Sequence, residues 1–155
     1  MRRQDREVLQ PEQIDAIIES CDCLRLGLNA EDGAYIVPLN FAYVPGKPAK
    51  FYFHSAKEGR KVDMIGQGAK ACFELDGAHR LGEAETGCRH TFFYQSVIGT
   101  GTVRPVETLE EKKRALSAIM AHYRKDCAFS FTDEQADAVA VFCLTAETMS
   151  CKQHS

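Results

Sequence analysis

Three cations, Lys57, Arg60 and Lys61, stand close together in this chain, directly after His54, Ser55 and Ala56. An aromatic, strand-like run at 50–54 leads into them, and Val62 and Ile65, three apart behind them, have the spacing of a buried helical stripe. Basic side chains are ordinarily favoured at the C-terminal end of a helix, where they meet the negative pole of its dipole. Gathered at the opposite end, beside unpaired backbone N–H groups, they make a receptor for a dianion, and a phosphate monoester is the natural occupant. Ser55, three residues before Glu58, predicts a capping box that starts the helix there. Lys57 and Lys61, four apart on one helical stripe, repel each other by a few tenths of a kcal/mol. An anion between them converts that penalty into charge-assisted hydrogen bonds of roughly 1.5 to 3 kcal/mol each. A solvated basic face fits the same pattern. His54, whose ordinary pKa lies near neutrality, has the chemistry of a proton donor; a core histidine bonded to backbone at a strand end is the other reading.

These groups need a scaffold. Residues 11–21 begin with a proline suited to a first helical turn and carry apolar residues at helical spacing, predicting a short amphipathic helix. Leu24, Leu26 and Leu28 alternate through 23–28, turn residues fill 29–33, and 34–44 resumes the β pattern, which together predict a hairpin. Strands are further predicted at 50–54, 69–75, 91–106 and 138–144. The stretch 76–90 has no period and is expected to be a long loop, either a lid or a solvated excursion. Gly99 and Gly101, two apart on the longest strand, mark a bend or a close backbone approach of the kind a small barrel needs. Thr108 and Glu111 form a capping box ahead of an apolar stripe of Leu109, Leu116, Ile119, Met120 and Tyr123. Tight turns between the early strands favour an antiparallel barrel of the α+β class over a parallel sheet.

Composition bounds the function classes. A chain of 155 residues with net charge -3 is expected to be one soluble domain and not a general nucleic-acid binder, which carries a basic excess. No apolar run is long enough for a membrane helix, and the polar start lacks a signal-peptide core, so the expected compartment is the cytoplasm. Seven cysteines invite a metal or disulfide reading, but their spacing supports neither. Cys21 and Cys23 are expected on one face of a strand, Cys72 and Cys143 as buried thiols, and Cys88 and Cys151 as exposed ones.

Three separated motifs, Ile-Val-Pro-Leu-Asn-Phe at 36–41, Phe-Tyr-Phe-His-Ser-Ala-Lys-Glu-Gly-Arg-Lys at 51–61, and Tyr-Gln-Ser-Val-Ile at 94–98 with Gly101, occur in this order. Together they resemble the 5-nitroimidazole resistance (Nim-like) branch of the pyridoxamine 5'-phosphate oxidase-like FMN-binding split-barrel proteins. The resemblance runs from about residue 1 to the end. It implies a mainly β (α+β) domain over 1–155, a six-stranded antiparallel split β-barrel with peripheral helices, forming a homodimer with FMN near the interface. Arg60 and Lys61 match the family's pair on the FMN phosphate, and Ser55, Ala56 and Lys57 lie in the same loop. Pro38, Leu39, Asn40 and Phe41 match the strand whose backbone lies along the isoalloxazine ring. Ser96 falls where the parent oxidases place a flavin-contacting glutamine, and His54 matches a histidine beside the cofactor, which makes it the candidate catalytic residue.

Departures narrow the activity. Pyridoxamine phosphate oxidases proper carry a Trp-containing segment and a C-terminal Arg-x-His stretch, whereas this chain has no Trp and ends Met-Ser-Cys-Lys-Gln-His-Ser. Vitamin B6 oxidation is therefore not expected. Lys152 lies in a tail similar to a Thr-Gly-Lys-Gln ending in which Ser150 and Cys151 replace the first two residues. The resemblance implies an FMN-dependent oxidoreductase acting on a small-molecule electron acceptor such as a nitroaromatic. The competing class is a non-catalytic flavin or haem carrier or sensor on the same barrel. No Gly-x-Gly-x-x-Gly nicotinamide fingerprint names the electron donor.

Overall fold

Alternating apolar residues over most of the chain produce one large antiparallel sheet. The structure is a computed structural model and describes residues 3–155, so the first two residues of the expected 1–155 domain lie outside the described ones. Eight strands form the sheet: β1 (Glu7–Val8), β2 (Leu24–Ala30), β3 (Gly33–Leu39), β4 (Ala42–Val44), β5 (Lys50–Ser55), β6 (Ala69–Gly82), β7 (Thr91–Pro105) and β8 (Ala140–His154). The strand order is β3-β2-β6-β7-β8-β5-β4, with β1 added against the far end of β8. Four α-helices decorate it among the described residues: α1 (Pro11–Ser20), α2 (Arg60–Ile65), α3 (Leu109–Tyr123) and α4 (Asp133–Asp137).

The count of eight corrects the expected six. Asn40 and Phe41 interrupt the second predicted strand, splitting it into β3 and β4, and the two-residue β1 is too short to show a period. The first half of the predicted loop at 76–90 is strand, because β6 continues to Gly82 opposite Thr91, and only the remainder is irregular apart from a short 3-10 turn at Gly87–Arg89. A register shift between Gly77 and Arg80, with Ala78 at a φ of 53°, breaks the alternation that would have announced it. β8 likewise runs ten residues past the predicted end at 144, to His154. Its second half is mostly polar because only Ala146 and Cys151 turn fully inward there.

Inward-facing side chains of the strands make the main core: Leu24, Leu26, Phe51, Phe53, Phe73, Leu75, Val97 and Leu144 are buried, joined by Ile18 from α1. Each such side chain contributes roughly 1.5 to 3 kcal/mol on burial. A second cluster of Val106, Ala115, Leu116, Ala136 and Val141 seats α3 and α4 on the outer face of β5 and β8. Two cysteine expectations are reversed: Cys72 is exposed on the outer side of β6, while Cys151 is buried on the inner side of β8. Cys21 and Cys23 precede β2 and share no strand.

Gly99 and Gly101 do mark a close approach. A Cβ at Gly99 would overlap the Phe73 ring and the Thr148 carbonyl, and one at Gly101 would overlap the Thr145 carbonyl, where β7 and β8 shift register. The sheet bends where no side chain is in the way. Gly99→Ala is expected to cost about 1 to 3 kcal/mol, read as a lower urea midpoint.

Candidate functional site

β5 delivers His54 and Ser55 to the edge of the sheet, paired with Val141 and Ala140 of β8. The strand alternation that buries Phe51 and Phe53 turns His54 to the opposite, accessible face. The chain then leaves the sheet and enters α2 at Gly59, whose φ of 122° is left-handed, and no side chain caps the helix. The expected capping box between Ser55 and Glu58 is therefore absent. The helix begins at Arg60, too late for Ser55 to serve, and the Ser55 hydroxyl donates instead to the Ala56 carbonyl at 2.7 Å. Nothing lies within 4 Å of the place a Gly59 Cβ would occupy. Open space and uncapped first-turn N–H groups thus coincide.

The three cations differ in their surroundings. Arg60 donates to Asp32 of the β2–β3 turn at 2.6 Å, and its guanidinium lies 4.9 Å from the ring centre of Tyr35. Lys57 pairs with Asp137 at the end of α4 at 3.2 Å. Lys61 is half-buried, and the ion pairs among the described residues leave it without a carboxylate. Burial lowers the Lys61 pKa. The His54 side chain is exposed at the end of β5, yet partial desolvation by the surrounding protein, followed by the nearby Lys61 ammonium, holds its pKa below the ordinary 6.5. Two ion pairs and one partly desolvated cation, Lys61, without a carboxylate partner among the described residues result.

Other predicted residues lie farther off. Pro38 and Leu39 pair with Arg25 and Leu24 at the end of β3 remote from Asp32, about 10 Å or more along the strand from Tyr35. Phe41 is buried in the core, and its N–H donates to the Tyr123 hydroxyl at 3.2 Å, so only its carbonyl remains to meet a ligand. Ser96 sits on β7 in register with Lys152 of β8, and the two share a cavity of about 310 Å³ with Glu7, Ile98 and Ser150. That register places Lys152 beside Ser96, which sequence alone left open. A larger hollow of about 480 Å³ between α1 and α3, lined by Glu19, Tyr43 and His122, lies away from the cations.

Sequence reading missed Asp32, Tyr35, Asp137 and Tyr123, because each acts through a contact between distant parts of the chain. Tyr123 is the clearest case: besides accepting from Phe41 it donates to the Asp22 carbonyl at 2.9 Å, tying α3 to the break between β3 and β4. Tyr123→Phe is expected to cost about 1 to 2 kcal/mol. Faster hydrogen exchange at the Phe41 amide is the specific readout.

Among the described residues no group of three or more His, Cys, Asp or Glu side chains could hold a metal ion, and no helix is long and apolar enough to cross a membrane. A family described as pyridoxamine 5'-phosphate oxidase matches residues 10–153. A candidate 5-nitroimidazole antibiotic resistance protein from Bacteroides thetaiotaomicron is 30% identical, with 95% of this chain and 86% of that one covered at a TM-score of 0.81. An FAD and haem binding protein from Mycobacterium smegmatis (15% identity, TM-score 0.81, 97% and 74% covered) shares the fold. So does a flavocytochrome from Azotobacter vinelandii (17% identity, TM-score 0.79, 100% and 72% covered). No curated protein matched the sequence.

Proposed function

The chain belongs to the pyridoxamine 5'-phosphate oxidase family, and from that premise we propose that it is an FMN-binding oxidoreductase that reduces small acceptors of the nitroaromatic class. The observation that carries this is Lys61, a half-buried cation without a carboxylate, beside an uncapped helical turn opened by Gly59. A phosphate monoester supplies what that spot lacks: two negative charges and acceptors for its N–H groups. The donor set fits the group. Lys61 and the first-turn amides of α2 hold the phosphate, with Arg60, Lys57 and Ser55 around it and the Ala56 backbone alongside. Pro38, Leu39, Asn40 and the Phe41 carbonyl would lie along the ring, and Ser96, with Lys152 next to it, would offer a hydrogen bond to it.

When bound, the flavin ring supplies the electron or hydride transfer. The protein's own contribution is placement and a proton. His54, exposed at the end of β5, gives that proton to the acceptor from its imidazolium form. An outer face carrying the exposed side chains of Ile36 (63%) and Ile98 (56%), around a hollow of about 270 Å³ that includes Gly27 and Cys72, supports a homodimer with the cofactor near the interface. In this reading the enzyme works in the cytoplasm with neither a membrane nor nucleic acid as partner, and the net charge of -3 supports the latter point, since general nucleic-acid binders carry a basic excess.

The test starts with the absorption spectrum of freshly purified protein, which is expected to show bound flavin. Anaerobic titration of the FMN complex with NAD(P)H and then a nitroimidazole should give reduction followed by stoichiometric reoxidation. A flavin that binds but never turns over assigns the chain to the carrier or sensor class, and a protein that binds none overturns the flavin reading.

A further inference from the structure

Asp32 and Asp137 are unusual neighbours for an anion site. Each carboxylate is in direct contact with one of the cations proposed to surround the phosphate, Asp32 with Arg60 at 2.6 Å and Asp137 with Lys57 at 3.2 Å, with Lys112 a second partner of Asp137 at 4.0 Å. Both are well exposed, at 72% and 66% of their side-chain surface, and they come from separate elements, the β2–β3 turn and the end of α4. They therefore reach the cation cluster from two different elements, and Lys61, next to Arg60 in the chain, has no carboxylate partner among the described residues.

We propose that Asp32 and Asp137 are specificity residues that select a flavin monophosphate over a flavin dinucleotide. The argument rests on the flavin reading above and on charge placement. A monoester concentrates two negative charges and three terminal oxygens at one point, where Lys61 and the amides of α2 can meet them all. In a dinucleotide each phosphoryl group carries one charge, and the second, one bridging oxygen away, must continue outward past the rim. There the two carboxylates repel it, and the cations that would otherwise receive it are already paired with them. The rim thus penalises the second phosphoryl group and leaves the first nearly untouched. Such discrimination works by repulsion at the mouth.

The experiment is flavin fluorescence quenching with FMN, FAD and riboflavin on the wild-type protein and on Asp32→Asn, Asp137→Asn and the double variant, which keep side-chain size and remove charge. The wild type is expected to prefer FMN over FAD, and the double variant to narrow that preference roughly tenfold, with intermediate single variants. FMN itself gains modestly, because Arg60 and Lys57 are released from their partners, while riboflavin is unchanged. Raising the salt concentration narrows the wild-type gap and does little to the double variant. An FMN-to-FAD ratio that stays the same in all four proteins, or a wild type that prefers FAD, overturns the selection and leaves FMN or FAD binding standing. Wild-type protein that quenches no flavin overturns the flavin reading and this selection together.

Discussion

Replacing Arg60 and Lys61 together by alanine is expected to weaken FMN binding by about a hundredfold or more while riboflavin binding changes only a few fold. Two charge-assisted hydrogen bonds at roughly 1.5 to 3 kcal/mol each would give a larger loss. The lower figure is appropriate because Arg60 must first leave Asp32, an exposed pair that is itself worth little, and because the amides of α2 remain. Lys61→Ala alone should account for most of the effect. It is the desolvated cation of the three, and a charge interaction strengthens where water is excluded. Arg60→Ala should cost less and should also free Asp32, so Arg60→Ala in an Asp32→Asn background separates phosphate contact from the removal of a partner. Equal losses for FMN and riboflavin would show that the two cations do not read the phosphate.

Much of this site was visible in the sequence because it is local. His54, Ser55, Lys57, Arg60 and Lys61 fall within one strand end and the turn after it, so their common address follows from chain order alone. The start of the helix was misplaced for a physical reason. A Ser-x-x-Glu pattern licenses a capping box, but Gly59 in a left-handed conformation resets the chain and moves the first turn to Arg60. What stayed hidden is what the fold brings from afar. Asp32 and Asp137 reach the cations across the β2–β3 turn and α4, and no local pattern at 32 or 137 distinguishes them from other surface carboxylates. The same limit applies to strands. β2, β5 and β7 announce themselves by alternation, whereas the outer parts of β6 and β8 face water on both sides or carry a register shift, and lose the period that identifies a strand. Ser96 and Lys152 become neighbours only through that unseen half of β8.

His54→Ala is expected to retain FMN within a few fold of wild type and to lower the rate of nitro reduction by about a hundredfold, the usual scale for losing a positioned proton donor. The pH dependence distinguishes this role from a structural one. The His54 pKa is held below 6.5 by burial and by Lys61, so at neutral pH the imidazole is mostly neutral and the donating form is scarce. Turnover should therefore rise as pH falls through the folded pKa and level off below it, while His54→Ala gives a profile without that limb; a loss equal at every pH would reject the assignment. Stability moves the opposite way. A histidine whose pKa is depressed by folding takes up more protons when unfolded, so its contribution is complete above 6.5 and is lost as pH falls through the folded value. Lys61→Met provides the complementary check, because removing the ammonium lifts one of the two causes of the depression, and the His54 resonances should titrate at higher pH. An anion held by Lys61 should act in the same direction, which makes the imidazolium easier to form in the loaded protein than in the empty one. The cation that grips the cofactor would then also set how readily its neighbour supplies the proton.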